Sequence, residues 1–444
     1  MATARRHRRS DKQLKGNKRS PKQRREARPA PAGPTSVHDV PDPLLELILV
    51  RLHSSACLLR AAAACKRWRR FVADAGFISR FRSFRAAPVA GYYHTSDPFY
   101  ARPPSTGDPT FVPSLPVDRG RFSLDFLPDG VRDSSWELAD SRGSLLLLAR
   151  KRLDDWSGAR LFPDLVVCEP LTRRHQGILR PVNRSSRHCI GVFLLDDGTG
   201  DVSMPSFRVL AVLCMYDNDP LGDGLGKPLA CVFTSGSDGG GWRTSASAGS
   251  VGVAAANIAL PRTTDHISFV GRANGALHWE IGDVGALLSL DEATATTFSL
   301  VPLPADAWSP YRGWCLRVVG GGEDGALRVV HLINNDLKVF VRLRSDDGGW
   351  VLEKLLRLPE ATRGLPGHED RFFRREAMIV DAHDTYVLVT PQEETWLFSV
   401  ELETMAVERE HERNRYAGAS YPCQLPWPPA LEACPAHRGR RRCR

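Results

Sequence analysis

The stretch Gly222-Asp223-Gly224-Leu225-Gly226-Lys227-Pro228 ends in the Gly-Lys pair that closes a phosphate-cradling loop. It lacks the Ser/Thr that should follow the lysine and the four-residue spacing between glycines, so it reads as a turn. Asp217, Asp219 and Gly222 imitate part of a calcium loop, but Pro228 stands where the closing glutamate belongs. Neither a Gly-x-Ser-x-Gly elbow nor a His-Glu-x-x-His pair is present. The cysteines at 57, 65, 168, 189, 214, 231, 315, 423, 434 and 443 form no Cys-x-x-Cys pair. They support neither a zinc site nor a disulfide framework and read as thiols of a reducing compartment. His175, His188, His266, His278, His331 and His383 are singletons along the chain. A fold with a central axis can gather such residues, which their spacing does not reveal. The expectation is a non-enzymatic chain with no cofactor and no metal.

The elements that would carry any other activity are set by composition. With 42% apolar and 25% charged residues, the 444-residue chain has a globular make-up and room for two or more domains. The net charge of +9 is a local property: residues 5–28 hold 12 Lys/Arg against Asp11 and Glu26, and the remainder is nearly neutral. The expectation is therefore a basic tail on a neutral body, with no dedicated nucleic-acid fold. No aromatic residue is interleaved among the basic residues of 1–36, which removes base stacking as a binding mode. The apolar runs Leu145–Leu148 and Val251–Leu260 fall short of the roughly 18 residues a membrane helix needs, so no membrane partner is expected. Arg and Lys occupy the positions where a secretory core would begin.

Residues 1–36 hold too few large apolar side chains to offset ordering entropy and read as a disordered basic tail. Residues 37–84 read as helices. Asp42 is a cap candidate and Pro43 suits a first helical position. Leu44, Leu45, Leu47, Ile48, Leu49 and Leu52 cover more than half of the helix circumference, enough for a core face and a partner face. A second helix runs from Ser54-Ser55 through Ala64, and a third from Cys65 through Val72 with Gly76 as its stop. Ile78, Phe81 and Phe84 suggest one more segment. Residues 85–120 read as a linker or long loop, and residues 431–444 as a basic C-terminal tail.

Between 121 and 430 the apolar period changes to two, as in Leu337-Val339-Val341-Leu343 and Trp396-Phe398-Val400-Leu402. Strand–turn–strand groups recur around Gly143, Gly275, Gly325 and Asp384, with Asp201–Trp242 the least clear. Four short strands per 40–60 residues is the rhythm of a β-propeller blade, and four or five such groups can be counted. A pair of β-sandwiches is the structural alternative.

The helical segment resembles a known motif. Val40-Pro41-Asp42-Pro43-Leu44-Leu45-Glu46-Leu47-Ile48-Leu49-Val50-Arg51-Leu52, Leu58-Leu59-Arg60 and Cys65-Lys66-Arg67-Trp68-Arg69 resemble the F-box, with Val40 in place of its usual Leu. More loosely, Val167-Cys168-Glu169-Pro170-Leu171-Thr172-Arg173 and Trp427-Pro428-Pro429 are similar to strings of the propeller-like domain associated with plant-type F-box proteins. The resemblance implies a multidomain chain, a small all-α F-box module followed by an all-β, propeller-like domain. It further implies a substrate receptor of an SCF-type ubiquitin ligase in the nucleus and/or cytoplasm. Its partners would be a Skp-type adaptor, through it a cullin, and an unknown protein target. By that resemblance Pro41, Leu45, Ile48, Leu52, Leu58, Cys65 and Trp68 build or line the adaptor interface, with core packing as the other role open to each. Two rivals stand beside it: an F-box protein that binds the adaptor without a cullin, and a nuclear binding protein acting through its tail. Trp156, Trp242, Trp308 and Trp314 are either target anchors or blade-packing side chains.

Overall fold

The structure is a computed structural model. It describes residues 40–52, 55–84, 88–94, 109–128, 136–150, 162–181, 187–196, 202–216, 226–236, 241–247, 260, 266–282, 284–304, 315–321, 325–343, 349–366, 368, 372–391, 397–409 and 419–425. The two basic tails, Trp156, Trp308, Trp314, Asp217, Asp219, residues 222–225 and the Trp427-Pro428-Pro429 string lie outside the described residues.

Four helices come first: α1 (Asp42–Val50), α2 (Ser55–Ala64), α3 (Lys66–Val72) and α4 (Ala75–Ser83). Leu45, Leu49, Leu58, Val72, Phe77 and Phe81 meet in one core. Two boundaries differ from the sequence reading. Asp42 is the first helical residue, and Pro41 occupies the cap position without a side-chain bond. Gly76 does not stop α3. Asp74 accepts from the Phe77 amide at 3.1 Å and starts α4, so Gly76 sits in the first turn of a new helix.

The remainder forms six antiparallel sheets among the described residues, a six-bladed propeller-like domain. The stretch 85–120, expected as a linker, contains β1 (Val89–His94) and β2 (Thr110–Pro113). These short strands carry little local signal, and the sheet they begin is completed only by a strand from the other end of the chain, which pairs with β1. Blade one is β3 (Glu137–Arg142), β4 (Leu145–Arg150), β5 (Asp164–Glu169) and β6 (Arg174–Ile178). Blade two is β7 (Arg187–Leu195), β8 (Arg208–Tyr216), β9 (Gly226–Thr234) and β10 (Trp242–Ser247). Blade three is β11 (Ile267–Ala273), β12 (Ala276–Ile281), β13 (Ala286–Asp291) and β14 (Phe298–Pro302). Blade four is β15 (Leu316–Gly321), β16 (Ala326–Ile333), β17 (Asp336–Arg342) and β18 (Trp350–Arg357). A short helix, α5 (Leu358–Ala361), precedes blade five: β19 (Met378–Ala382), β20 (Tyr386–Thr390), β21 (Phe398–Glu401) and β22 (Val407–Arg409). Blade six joins the C-terminal β23 (Ser420–Gln424) to β1 and β2.

The groups read around Gly143, Gly275, Gly325 and Asp384 are the first hairpins of blades one, three, four and five. Gly143, Gly275 and Gly325 adopt φ of 59°, 73° and 60°, a region open to glycine at no steric cost. The innermost strands of successive blades pack side by side, β23 on β3, β3 on β7, β7 on β11, β11 on β15 and β15 on β19. Apolar layers fill the seams: Leu147, Val167 and Val209 between blades one and two, and Trp279, Leu288 and Leu210 between two and three. Each such fully buried side chain stabilises by about 1.5–3 kcal/mol.

A device read only once in the sequence recurs in the structure. Glu169 accepts from the hydroxyls of Ser144 and Thr172, and Arg173 follows at φ 55°. Asp291 accepts from the Thr294 hydroxyl before Ala295 at φ 51°, and Glu401 from the Thr404 hydroxyl before Met405 at φ 59°. An acidic residue, two others, a Thr and a left-handed residue thus close the third strand of three blades. The Glu169–Arg173 string is a turn lock in this fold.

Candidate docking site

The helical module divides the seven residues implied by the resemblance. Helix α1 buries Leu45 and Leu49, one turn apart, at 1% and 2% exposure. The next positions round the helix, Leu44, Leu47 and Ile48, are 52%, 49% and 54% exposed. The spacing i, i+3, i+4 makes these three a continuous apolar stripe on the outside of the module. Pro41 is exposed at the head of that helix, while Leu52, Cys65 and Trp68 are half-buried. Leu45 and Leu58 are sealed in the core, so in this conformation they shape the surface from beneath without reaching it. Leu44 and Leu47 share this exposed stripe with Ile48 and are not among the seven residues that the resemblance implies. A helix apolar on more than one face already signalled them, since only one face can be buried.

Polar contacts fix the angle of α1. Arg67 of α3 donates through Nε to Asp42 at 2.9 Å and through its other nitrogen to the Val40 carbonyl. Arg80 of α4 pairs with Glu46. Between them lies an open cleft of about 430 Å³ whose charged walls pair across it. Cys65 caps α3, its Sγ accepting from the Trp68 amide at 3.4 Å, and Arg69 Nε holds the Ala62 carbonyl at 3.2 Å. Cys65 and Trp68 thereby set the α2–α3 corner.

In the propeller, charged residues gather at the axis. Arg142 binds Asp196, the Leu194 carbonyl and Glu292, and Arg272 binds Asp140 and Glu292. These groups belong to blades one, two and three; since one and three are not neighbours, they meet at the axis. Trp242 is half-buried between Phe162 and Phe233 and donates to the Leu179 carbonyl of blade one. Trp350 does the same to Pro302 of blade three. Trp242 thus fills the blade-packing role. Among the described residues no group of three His, Cys, Asp or Glu is disposed to hold a metal, and no helix is long and apolar enough to cross a membrane.

The helical geometry has a counterpart among known families. Residues 37–84 match the F-box-like family. The match covers α1 to α4 and ends where the propeller-like domain begins. No curated protein sequence matches the chain. Among solved structures it is similar to a nidogen/laminin complex at 11% identity, covering 65% of this chain and 81% of that one, with a TM-score of 0.31. It is also similar to the Malassezia sympodialis allergen Mala s 1 at 9% identity, covering 63% and 79%, with a TM-score of 0.33. Apo AztD from Citrobacter koseri follows at 12% identity, covering 68% and 74%, with a TM-score of 0.29. Likenesses of this size carry no argument about function.

Proposed function

We propose that the chain is the substrate-recognition subunit of an SCF-type ubiquitin ligase. The F-box module docks on a Skp-type adaptor, which bridges to a cullin, and the β domain presents a protein target. The observation that carries this reading is the F-box-like match over residues 37–84, joined to the exposed stripe Leu44, Leu47 and Ile48 on α1. A small module with surplus apolar side chains outside its core is stabilised when a partner covers them.

The chain contributes no covalent step. Holding target and scaffold together converts ubiquitin transfer into a reaction at high effective concentration. The string Val167–Arg173 supports placement with the plant-type F-box proteins, and this reading carries with it a nuclear and/or cytoplasmic site of action.

The test is affinity purification of the wild type beside a Pro41→Ala/Ile48→Ala variant. Adaptor and cullin should be recovered with the first and depleted with the second. Recovery of neither with the wild type sinks the reading; adaptor without cullin assigns a non-degradative role.

A further inference from the structure

Ubiquitin is joined to lysine, so the lysines of a ligase receptor bear on its own fate. The chain holds 51 arginines and only 9 lysines. Lys12, Lys15, Lys18 and Lys22 precede the helical module, and only Lys66, Lys151, Lys227, Lys338 and Lys354 serve residues 37–444. Ion pairing explains part of the preference for arginine. Arg67–Asp42, Arg142–Glu292, Arg272–Asp140 and Arg328–Glu353 tie the module, the axis and blade four. Arg328 grips Glu353 through two nitrogens at 2.7 and 3.2 Å, a fork that lysine cannot form. Arg119 and Arg121 need no such fork: both are exposed and make no ion pair among the described residues. A solvated surface cation of that kind is served as well by lysine, with the difference that lysine accepts ubiquitin.

The lysines of the folded body are poorly placed as acceptors. Lys354 is half-buried, and its Nζ donates to the Leu402 and Glu403 carbonyls at 2.8 and 2.6 Å. Lys338 is half-buried opposite the buried His331 in the β16–β17 ladder. Lys66 is exposed, but it opens α3 beside Cys65, within the surface assigned to the adaptor. Lys227 is exposed at the head of β9, a strand paired on both edges and fixed in direction. The four N-terminal lysines differ in attachment. Their chain enters the module at Val40, beside the docking stripe, and the 18 residue steps from Lys22 to Val40 can span up to about 65 Å. Helix α1, with 9 residues, spans about 14 Å. The tether is thus long enough to carry these amines past the module to a transfer centre on the scaffold.

We infer that the receptor is itself ubiquitinated by the ligase it serves, with Lys12, Lys15, Lys18 and Lys22 as the acceptors. In that step a lysine Nζ attacks the thioester carbonyl joining the ubiquitin C-terminus to a cysteine of the conjugating enzyme. The C–N bond forms, the C–S bond breaks, and the amine proton leaves with the thiol. This rests on the substrate-receptor reading and adds to it a modification site that sets the receptor's own lifetime.

The experiment assembles the full chain with adaptor and cullin and supplies a ubiquitin-charged conjugating enzyme, without target. One variant changes Lys12, Lys15, Lys18 and Lys22 to Arg, which keeps the charge of the tail. A second changes Lys151, Lys227, Lys338 and Lys354 to Arg and leaves Lys66, in the docking surface, untouched. Adaptor recovery is measured for each, and mass spectrometry maps the isopeptide-linked lysines. The first variant should be modified about ten-fold less than the wild type or lower still, because it loses the tethered amines. The second should be modified as the wild type is. Undiminished modification of the first variant, or links mapped chiefly to Lys66 or Lys227, overturns the assignment. So does a wild-type complex that discharges the conjugating enzyme yet leaves the chain unmodified. A wild type that recovers no adaptor overturns the ligase reading itself, an outcome that adaptor recovery separates from the others.

Discussion

Asp381 of β19 accepts from the Ser420 backbone amide at 3.2 Å and from the Ser420 hydroxyl, tying blade five to the C-terminal strand. Apolar clusters fill the other five seams among the described residues, and this one depends on a carboxylate. Burial pushes the Asp381 carboxyl up, but the His383 imidazole 3.5 Å away and the bonds from Ser420 outweigh it and hold the group below its ordinary 3.8. A depressed carboxylate contributes stability that is fully present above its unfolded value and is lost as pH falls through the folded one. Asp381→Ala should cost about 1–3 kcal/mol at neutral pH. The deficit should shrink in acid, below about pH 4. Denaturant melts of both proteins from pH 7 to pH 3 check this; a deficit constant with pH would refute it.

Glu280 has the opposite sign. It is 3% exposed, its Oε2 makes no hydrogen bond, and burial pushes it up to about 7, with Arg317 opposing. The folded state then binds more protons than the unfolded one between the ordinary 4.5 and about 7, so stability falls as pH rises through that window. Glu280→Gln removes the penalty. The variant should gain on the wild type from pH 5 to pH 8, by up to about 3 kcal/mol. Thermal melts across that range would show parallel curves if the idea is wrong.

The seven F-box residues should separate in experiment as they do in space. Leu45→Ala and Leu58→Ala should destabilise the module by about 2–5 kcal/mol. Leu47→Asp and Ile48→Asp should leave helical circular dichroism unchanged while abolishing adaptor recovery. An Ile48→Asp chain that still binds adaptor would remove the α1 stripe from the interface.

Gly271 has φ 148°, and a Cβ there would lie 2.4 Å from the Val318 carbonyl oxygen of the next blade. Gly177 meets nothing within 4 Å. Gly271→Ala should therefore lower stability by about 1–3 kcal/mol or more, and Gly177→Ala should be close to neutral. Equal melting temperatures for the two variants would contradict the close approach of β11 and β15.

What the sequence displayed was local. The α1 pattern announced a helix with two apolar faces, and three glycine turns and the one at Asp384 marked four first hairpins. Blade two was obscured because β8, Arg208–Tyr216, is buried on both faces and has no period of two to detect. The closing blade was invisible because β1 and β23 meet only in space. The Asp/Glu-x-x-Thr locks at 169, 291 and 401 could have been found by self-comparison, yet only Glu169 stood out, through its Pro-x-Thr-x-Arg surroundings.

The place of β23 has a bearing on how the protein is made. A ribosome delivers α1 to α4 early, when their core residues can already collapse, while β1, paired with β2, must wait for nearly the whole chain to emerge before β23 covers its other edge. A product broken off before Ser420 would carry an intact docking stripe on an unclosed ring. On the proposed receptor role, such a fragment would occupy the scaffold without presenting anything, acting as a competitor of its own full-length form.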